Sequence, residues 1–145
     1  EATFSACFGK AFFIWNPLIY ALDLKNKLIK HGTKVWLVNT GWSGGSYGVG
    51  ERMKLSFTRA MITAAMNGRL DNVEYITQPV FELAIPTSCP GVPTEILNPK
   101  DTWADKAAFD ETANSLGSKF VKNFEKYEAE TSEAIRAAAP KVMVK

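Results

Sequence analysis

A chain of 145 residues with 46% hydrophobic and 22% charged side chains has enough apolar material for one domain with a real core. Its net charge of +2 is too small to select nucleic acid or an anionic membrane as partner, and no apolar run approaches the roughly 20 residues of a membrane span. Two distant cysteines, Cys7 and Cys89, and one histidine, His31, form no disulfide framework and no CxxC or His-based metal pattern. A reducing, intracellular setting is the simplest expectation, and the C-terminal Val142-Met143-Val144-Lys145 is not a peroxisomal signal, which leaves the cytosol. The start at Glu1-Ala2-Thr3-Phe4, without Met and straight into apolar residues, reads as an interior cut.

In chain order, Phe4 to Phe13 mixes small and aromatic residues and is expected to include a buried strand, with Cys7 as a small buried hydrophobe. Asn16-Pro17 reads as an N-cap followed by proline at the first helical position. Leu18, Leu22, Leu24, Leu28 and Ile29 then form an apolar stripe, and Gly32 stands where a left-handed C-cap belongs. Lys30 and His31 sit at the negative end of that helix, so His31 is a capping side chain rather than a ligand or base. Lys34 to Val38 (KVWLV) is short, apolar and β-rich, which predicts a central strand.

Five glycines fall within Gly41 to Gly50, a loop whose backbone can approach a ligand closely. Met53 to Leu55 reads as a brief strand. Ser56 is the expected cap of a helix carrying Met61, Ile62, Ala65 and Met66, which stops at Asn67-Gly68. Val73 to Ile76 is a further strand candidate. Prolines at 79, 86, 90, 93 and 99 exclude sustained helix between Gln78 and Pro99. Thr102 and Asp105 suggest a variant capping box before a long amphipathic helix marked by Phe109, Ala113, Leu116, Phe120, Phe124 and Tyr127. The Ala-rich tail after Glu128 is a short helix or partly disordered. The class is mixed α/β.

Strand, glycine loop and helix in succession present backbone N–H groups to phosphates. The specific patterns fail, however. Gly45 and Gly50 have the P-loop separation, but Glu51-Arg52 follows where Lys-Ser/Thr belongs, and no GxGxxG follows Val38. What remains is a loop leading to Arg52 and then Thr58: a planar cation for a base, ribose or phosphate, and a hydroxyl for a nucleobase edge. On pattern alone this competes with a flexible loop whose Arg52 is ion-paired to Glu51 or another carboxylate. Asp105, Asp110 and Glu111 lie at a helix start, where the dipole explains them without catalysis.

Several strings occur together and in order: Ala2-Thr3-Phe4-Ser5-Ala6-Cys7-Phe8-Gly9, Leu37-Val38-Asn39-Thr40-Gly41-Trp42, Gly48-Val49-Gly50-Glu51-Arg52-Met53-Lys54-Leu55 and Thr58-Arg59-Ala60-Met61-Ile62. Leu83-Ala84-Ile85-Pro86, Cys89-Pro90-Gly91-Val92-Pro93, Leu97-Asn98-Pro99 and Thr102-Trp103-Ala104-Asp105 follow. Over residues 1–128 the chain resembles the C-terminal portion of the ATP-dependent phosphoenolpyruvate carboxykinases, with residues 129–145 as a tail.

The resemblance implies the post-lid part of a mononucleotide-binding domain, a mixed sheet with flanking helices. It implies an enzyme that converts oxaloacetate and ATP to phosphoenolpyruvate, carbon dioxide and ADP, in gluconeogenesis or, reversed, in carbon fixation. It places adenosine contacts on Arg52, Met53 and Thr58, making ATP the cofactor bound here. The P-loop lysine, the metal-ligating lysine, histidine and aspartate, and the oxaloacetate-binding arginine of the family lie upstream and are absent from these residues. The Mg2+ or Mn2+ ion would therefore be held elsewhere, and this portion is expected to be inactive alone. Its expected partners are the substrates ATP and oxaloacetate and the remainder of the enzyme: P-loop, lid and N-terminal domain. Apolar surface is expected around Phe8, Phe12 and Trp15 where those neighbours are missing. The alternatives are a non-catalytic nucleotide- or partner-binding module and a purely structural fragment.

Overall fold

The computed structural model describes Phe4, residues 9–45 and residues 47–143. Most of the first expected strand, with Cys7 and Phe8, lies outside the described residues; within them, Lys10–Phe12 forms a single 3₁₀ turn. Five α-helices and four short strands follow among the described residues, in the order α1 (Pro17–His31), β1 (Trp42–Ser43), β2 (Glu51–Arg52), α2 (Leu55–Met66), β3 (Tyr75–Thr77), β4 (Ala84–Pro86), α3 (Thr94–Leu97), α4 (Lys106–Glu128) and α5 (Glu133–Ala137). The mixed α/β class is borne out. The strands form two separate antiparallel hairpins, β1–β2 and β3–β4, rather than one continuous sheet.

Local chemistry sets the helix ends. The Asn16 side chain accepts from the Leu18 N–H at 3.0 Å, Pro17 takes the first helical position, and Gly32 closes α1 in the left-handed region at φ 60°. His31 is the last residue of α1 and is exposed, which fits a place beside the helix's terminal carbonyls. The cap of α4 is Asp105, whose carboxylate accepts from Ala107 and Ala108 at 2.8 and 3.0 Å. Thr102 ends the preceding 3₁₀ turn instead of opening a capping box, because Pro99 starts that turn from Asn98.

The core lies at the middle of the chain. Ala64, Leu70, Cys89 and Val92 are buried, with Trp36, Phe57, Ala60, Met61, Ala65, Ile96 and Leu97 packed around them. One face of α2 thus meets the turn after it and the Pro-rich segment that wraps back. The tail is ordered against the same body. The Lys141 N–H donates to the Val80 carbonyl at 2.7 Å, and the Asn114 amide pairs with both backbone groups of Met143 at 2.7 and 3.1 Å. The tail's docking is paid for by these backbone contacts, which the Ala-rich composition gave no sign of.

Three strand expectations are overturned or shifted for one physical reason: a strand exists only where a second strand completes its ladder. Lys34 to Val38 has no regular secondary structure and joins no strand among the described residues. Its alternation is intact, with Trp36 and Val38 half-buried and Val35 and Leu37 65% and 77% exposed. The expected strand at Met53 to Leu55 is moved to Glu51–Arg52, and Leu55, not a residue after Ser56, opens α2; its N-cap Lys54 contributes no side-chain bond. The strand at Val73 to Ile76 is shifted to Tyr75–Thr77 by its pairing with Ala84–Pro86. The stripe predicted on α1 is present, but no residue of that helix is buried. Phe12 and Trp15 are exposed, as expected.

Candidate functional site

The glycine stretch folds as a braced hairpin. Asn39 starts it: its side-chain oxygen accepts from the Gly41 N–H at 2.9 Å and its amide donates to the Trp42 carbonyl at 3.1 Å. The ladder pairs Trp42 with Arg52 and Ser43 with Glu51, and the Met53 N–H extends it by donating to the Gly41 carbonyl at 2.8 Å. The Ser43 hydroxyl meets the Thr102 hydroxyl at 3.2 Å, which ties the hairpin to the 3₁₀ turn before α4.

Two glycines are required by this closeness. A Cβ on Gly44, at φ 80°, would lie 2.9 Å from the Thr102 carbonyl oxygen, and one on Gly50 would run into the carbonyl oxygens of Ser43 and Gly45. The glycines therefore fold the loop on itself and against Thr102. They do not form an open phosphate cradle.

Arg52 ends β2 and is exposed, and among the described residues it makes no ion pair. The competing expectation of an Arg52–Glu51 pair is thereby excluded: residues adjacent on a strand point to opposite faces. Met53 is half-buried, and its N–H is committed to Gly41. Thr58, in the second turn of α2, is only 8% exposed, on the helix side that carries Met61 and Ala65 into the core. Its hydroxyl makes no hydrogen bond among the described residues, yet no fully buried side-chain oxygen there is left unpartnered, so the Thr58 oxygen is not sealed from solvent.

The three predicted residues thus lie close together at the end of β2 and the start of α2, with Arg52 exposed and without an ion pair among the described residues, and Thr58 deeper in. Sequence reasoning missed Trp42, which stands opposite Arg52, and Asn39 and Thr102, which brace the backbone. Only the β1–β2 register reveals Trp42.

No cluster of three or more His, Cys, Asp or Glu side chains able to hold a metal occurs among the described residues. No helix there is long and apolar enough to cross a membrane. An apolar cleft of about 420 Å³, lined by Lys25, Phe120, Phe124, Ile135 and Pro140 among others, lies between α1 and the α4–α5 region and includes no residue of the hairpin. Cys89 is buried, and burial pushes its thiol pKa up, so it is a poor nucleophile.

A braced glycine hairpin thus carries Arg52, without an ion pair among the described residues, to the start of a helix on a mixed α/β body. Comparison with known proteins gives it a family. The phosphoenolpyruvate carboxykinase family model matches residues 1–95, and the chain belongs to that family. It is 55% identical over 141 residues to the phosphoenolpyruvate carboxykinase (ATP) of Caldanaerobacter subterraneus subsp. tengcongensis, covering 97% of this chain and 27% of that protein. The enzyme of the same name from Flavobacterium johnsoniae is 54% identical, with 97% and 26% covered, and one from Rhodopseudomonas palustris is 54% identical, with 96% and 26% covered. The chain spans about a quarter of the length of these relatives, and the similarity continues past Glu128 into the tail.

Proposed function

We propose that the chain supplies the adenosine side of the ATP site in an ATP-dependent phosphoenolpyruvate carboxykinase, a lyase that takes oxaloacetate and ATP to phosphoenolpyruvate, carbon dioxide and ADP. The observation that carries this reading is the exposed Arg52, without an ion pair among the described residues, at the end of a braced hairpin, in a chain with 55% identity to an enzyme of that name. Arg52 sets a planar cation against the base or ribose. Met53 offers a half-buried apolar side chain beside it, and Thr58 a hydroxyl able to hydrogen-bond a base edge.

The described residues do not fit a divalent cation, so no metal-assisted step is assigned to them. A Mg2+ or Mn2+ ion, the P-loop, the lid and the oxaloacetate site belong to the remaining portion of a family-length protein. That protein would work in the cytoplasm, in gluconeogenesis. Residues 1–128 are the end of the nucleotide-binding domain and residues 129–145 its tail.

Phosphoryl transfer rests on positioning and on charge stabilisation of the transferring group. A chain with adenosine contacts alone is therefore inactive and binds ATP weakly. Calorimetric titration of the 145-residue chain with Mg·ATP checks this. Dissociation constants above about 100 μM are expected, since most of the affinity comes from phosphate contacts. A sub-micromolar constant would instead make the chain a nucleotide-binding module in its own right.

A further inference from the structure

The hairpin carries a second planar group that the proposed function does not use. Trp42 stands directly opposite Arg52 in the β1–β2 ladder. Opposed residues of an antiparallel pair point to the same face, with Cβ atoms about 4.5–5.5 Å apart. The indole and the guanidinium therefore share one face of the hairpin. Trp42 is 43% exposed, a large apolar ring left half in solvent beside a cation that makes no ion pair among the described residues.

The ring is also held. Tyr47 meets Trp42 in a T-shaped pair, with ring centroids 5.1 Å apart at 79°. The backbone beneath is fixed from both sides, by Asn39 donating to the Trp42 carbonyl and by Ser43 bonded to Thr102. A braced, half-exposed aromatic next to a free planar cation is the chemistry that holds a nucleobase: a π face to stack on and a guanidinium to meet the base edge or the ribose.

We infer that Trp42 is a nucleobase-contacting residue, its indole stacking on the purine ring of a nucleotide whose ribose or base edge meets Arg52. The inference rests on the reading of Arg52 as an adenosine contact and adds a residue to it.

The test is a ¹⁵N NMR titration of the 145-residue chain with AMP, a method that reads millimolar binding, with ribose 5-phosphate as the control. Trp42→Phe assigns the Trp42 indole N–H among the four tryptophans. The Trp42 indole and Arg52 side-chain signals are expected to move with AMP, the indole not with ribose 5-phosphate. Trp42→Phe, which keeps a stacking face, should bind AMP within about threefold of the parent, while Trp42→Leu should lose about 5- to 150-fold. Unchanged amide dispersion in both variants shows that the hairpin has not unfolded.

If Arg52 shifts with AMP and Trp42 does not, the stacking assignment is overturned and the adenosine reading of Arg52 stands. Equal movement of Trp42 with both ligands overturns it too, because the ring would then be sensing sugar phosphate. If neither signal moves at saturating AMP, both readings fall.

Discussion

Two stretches of similar apolar content behave oppositely. Between Leu55 and Leu97 the chain closes on itself: α2 meets Leu70, Cys89, Val92 and α3, and the core is made of residues at most a few tens apart in sequence. Between Phe12 and Val38 the local signals are at least as good, with a proline-led N-cap, a left-handed C-cap and an alternating apolar run, yet Phe12, Ile14, Trp15, Leu24, Ile29, Val35 and Leu37 are all more than half exposed. Caps and periodicity specify an element, whereas burial needs a partner surface. The first stretch contains its partner and the second does not. Trp36 links them, seated on the core and 6.5 Å from the Tyr75 ring, with Lys34 paired to Asp71 at 2.5 Å.

The comparison is broken most directly by matched truncations. Leu70→Ala should cost about 2–5 kcal/mol of unfolding free energy in urea denaturation, the cost of a cavity at a site only 4% exposed. Leu37→Ala, at a site 77% exposed, should stay within about 0.5 kcal/mol. If the two cost the same, the stretch around Leu37 is packed after all.

A smaller effect is expected in the hairpin. Gly50→Ala forces a Cβ into two carbonyl oxygens and should destabilise by about 1–3 kcal/mol while shifting the Arg52 and Met53 amide signals. An unperturbed spectrum would show that the loop is looser than its geometry implies.

The smallest effect is on pH dependence. Burial raises the Cys89 thiol above its ordinary 9.0, and burial, reinforced by the Asp71 charge and opposed by Lys34, raises the Tyr75 phenol above its ordinary 10.0. Both groups hold their protons more tightly when folded. The stability they contribute is complete below those ordinary values and is lost as pH rises through the raised ones. Urea midpoints should therefore fall above about pH 9. Cys89→Ser with Tyr75→Phe should flatten that fall, and a profile unchanged by the pair would remove these groups from the account.

Much of the fold was legible in the sequence because it is written locally. Asn16-Pro17, Gly32 and the α4 stripe all lie where their chemistry put them. The strands were not, because pairing is a relation between distant segments: KVWLV has strand composition and no ladder, while Glu51–Arg52, a charged pair with no strand signature, forms one. The candidate site divides the same way. Arg52 followed from its place after the glycines, but Trp42 opposite it, and the burial of Thr58, depend on register and helix phase. The resemblance to the family suggested these contacts; the hairpin geometry gives a physical reason for proposing one of them.

The central claim is that Arg52 serves the nucleotide. The most direct measurement is Arg52→Ala in a family-length protein carrying this chain, with KM determined separately for ATP and for oxaloacetate. A rise in the KM for ATP of about 10-fold or more, with that for oxaloacetate within twofold, is the predicted result, the loss expected for one charge-assisted contact. Equal rises in both constants would contradict it.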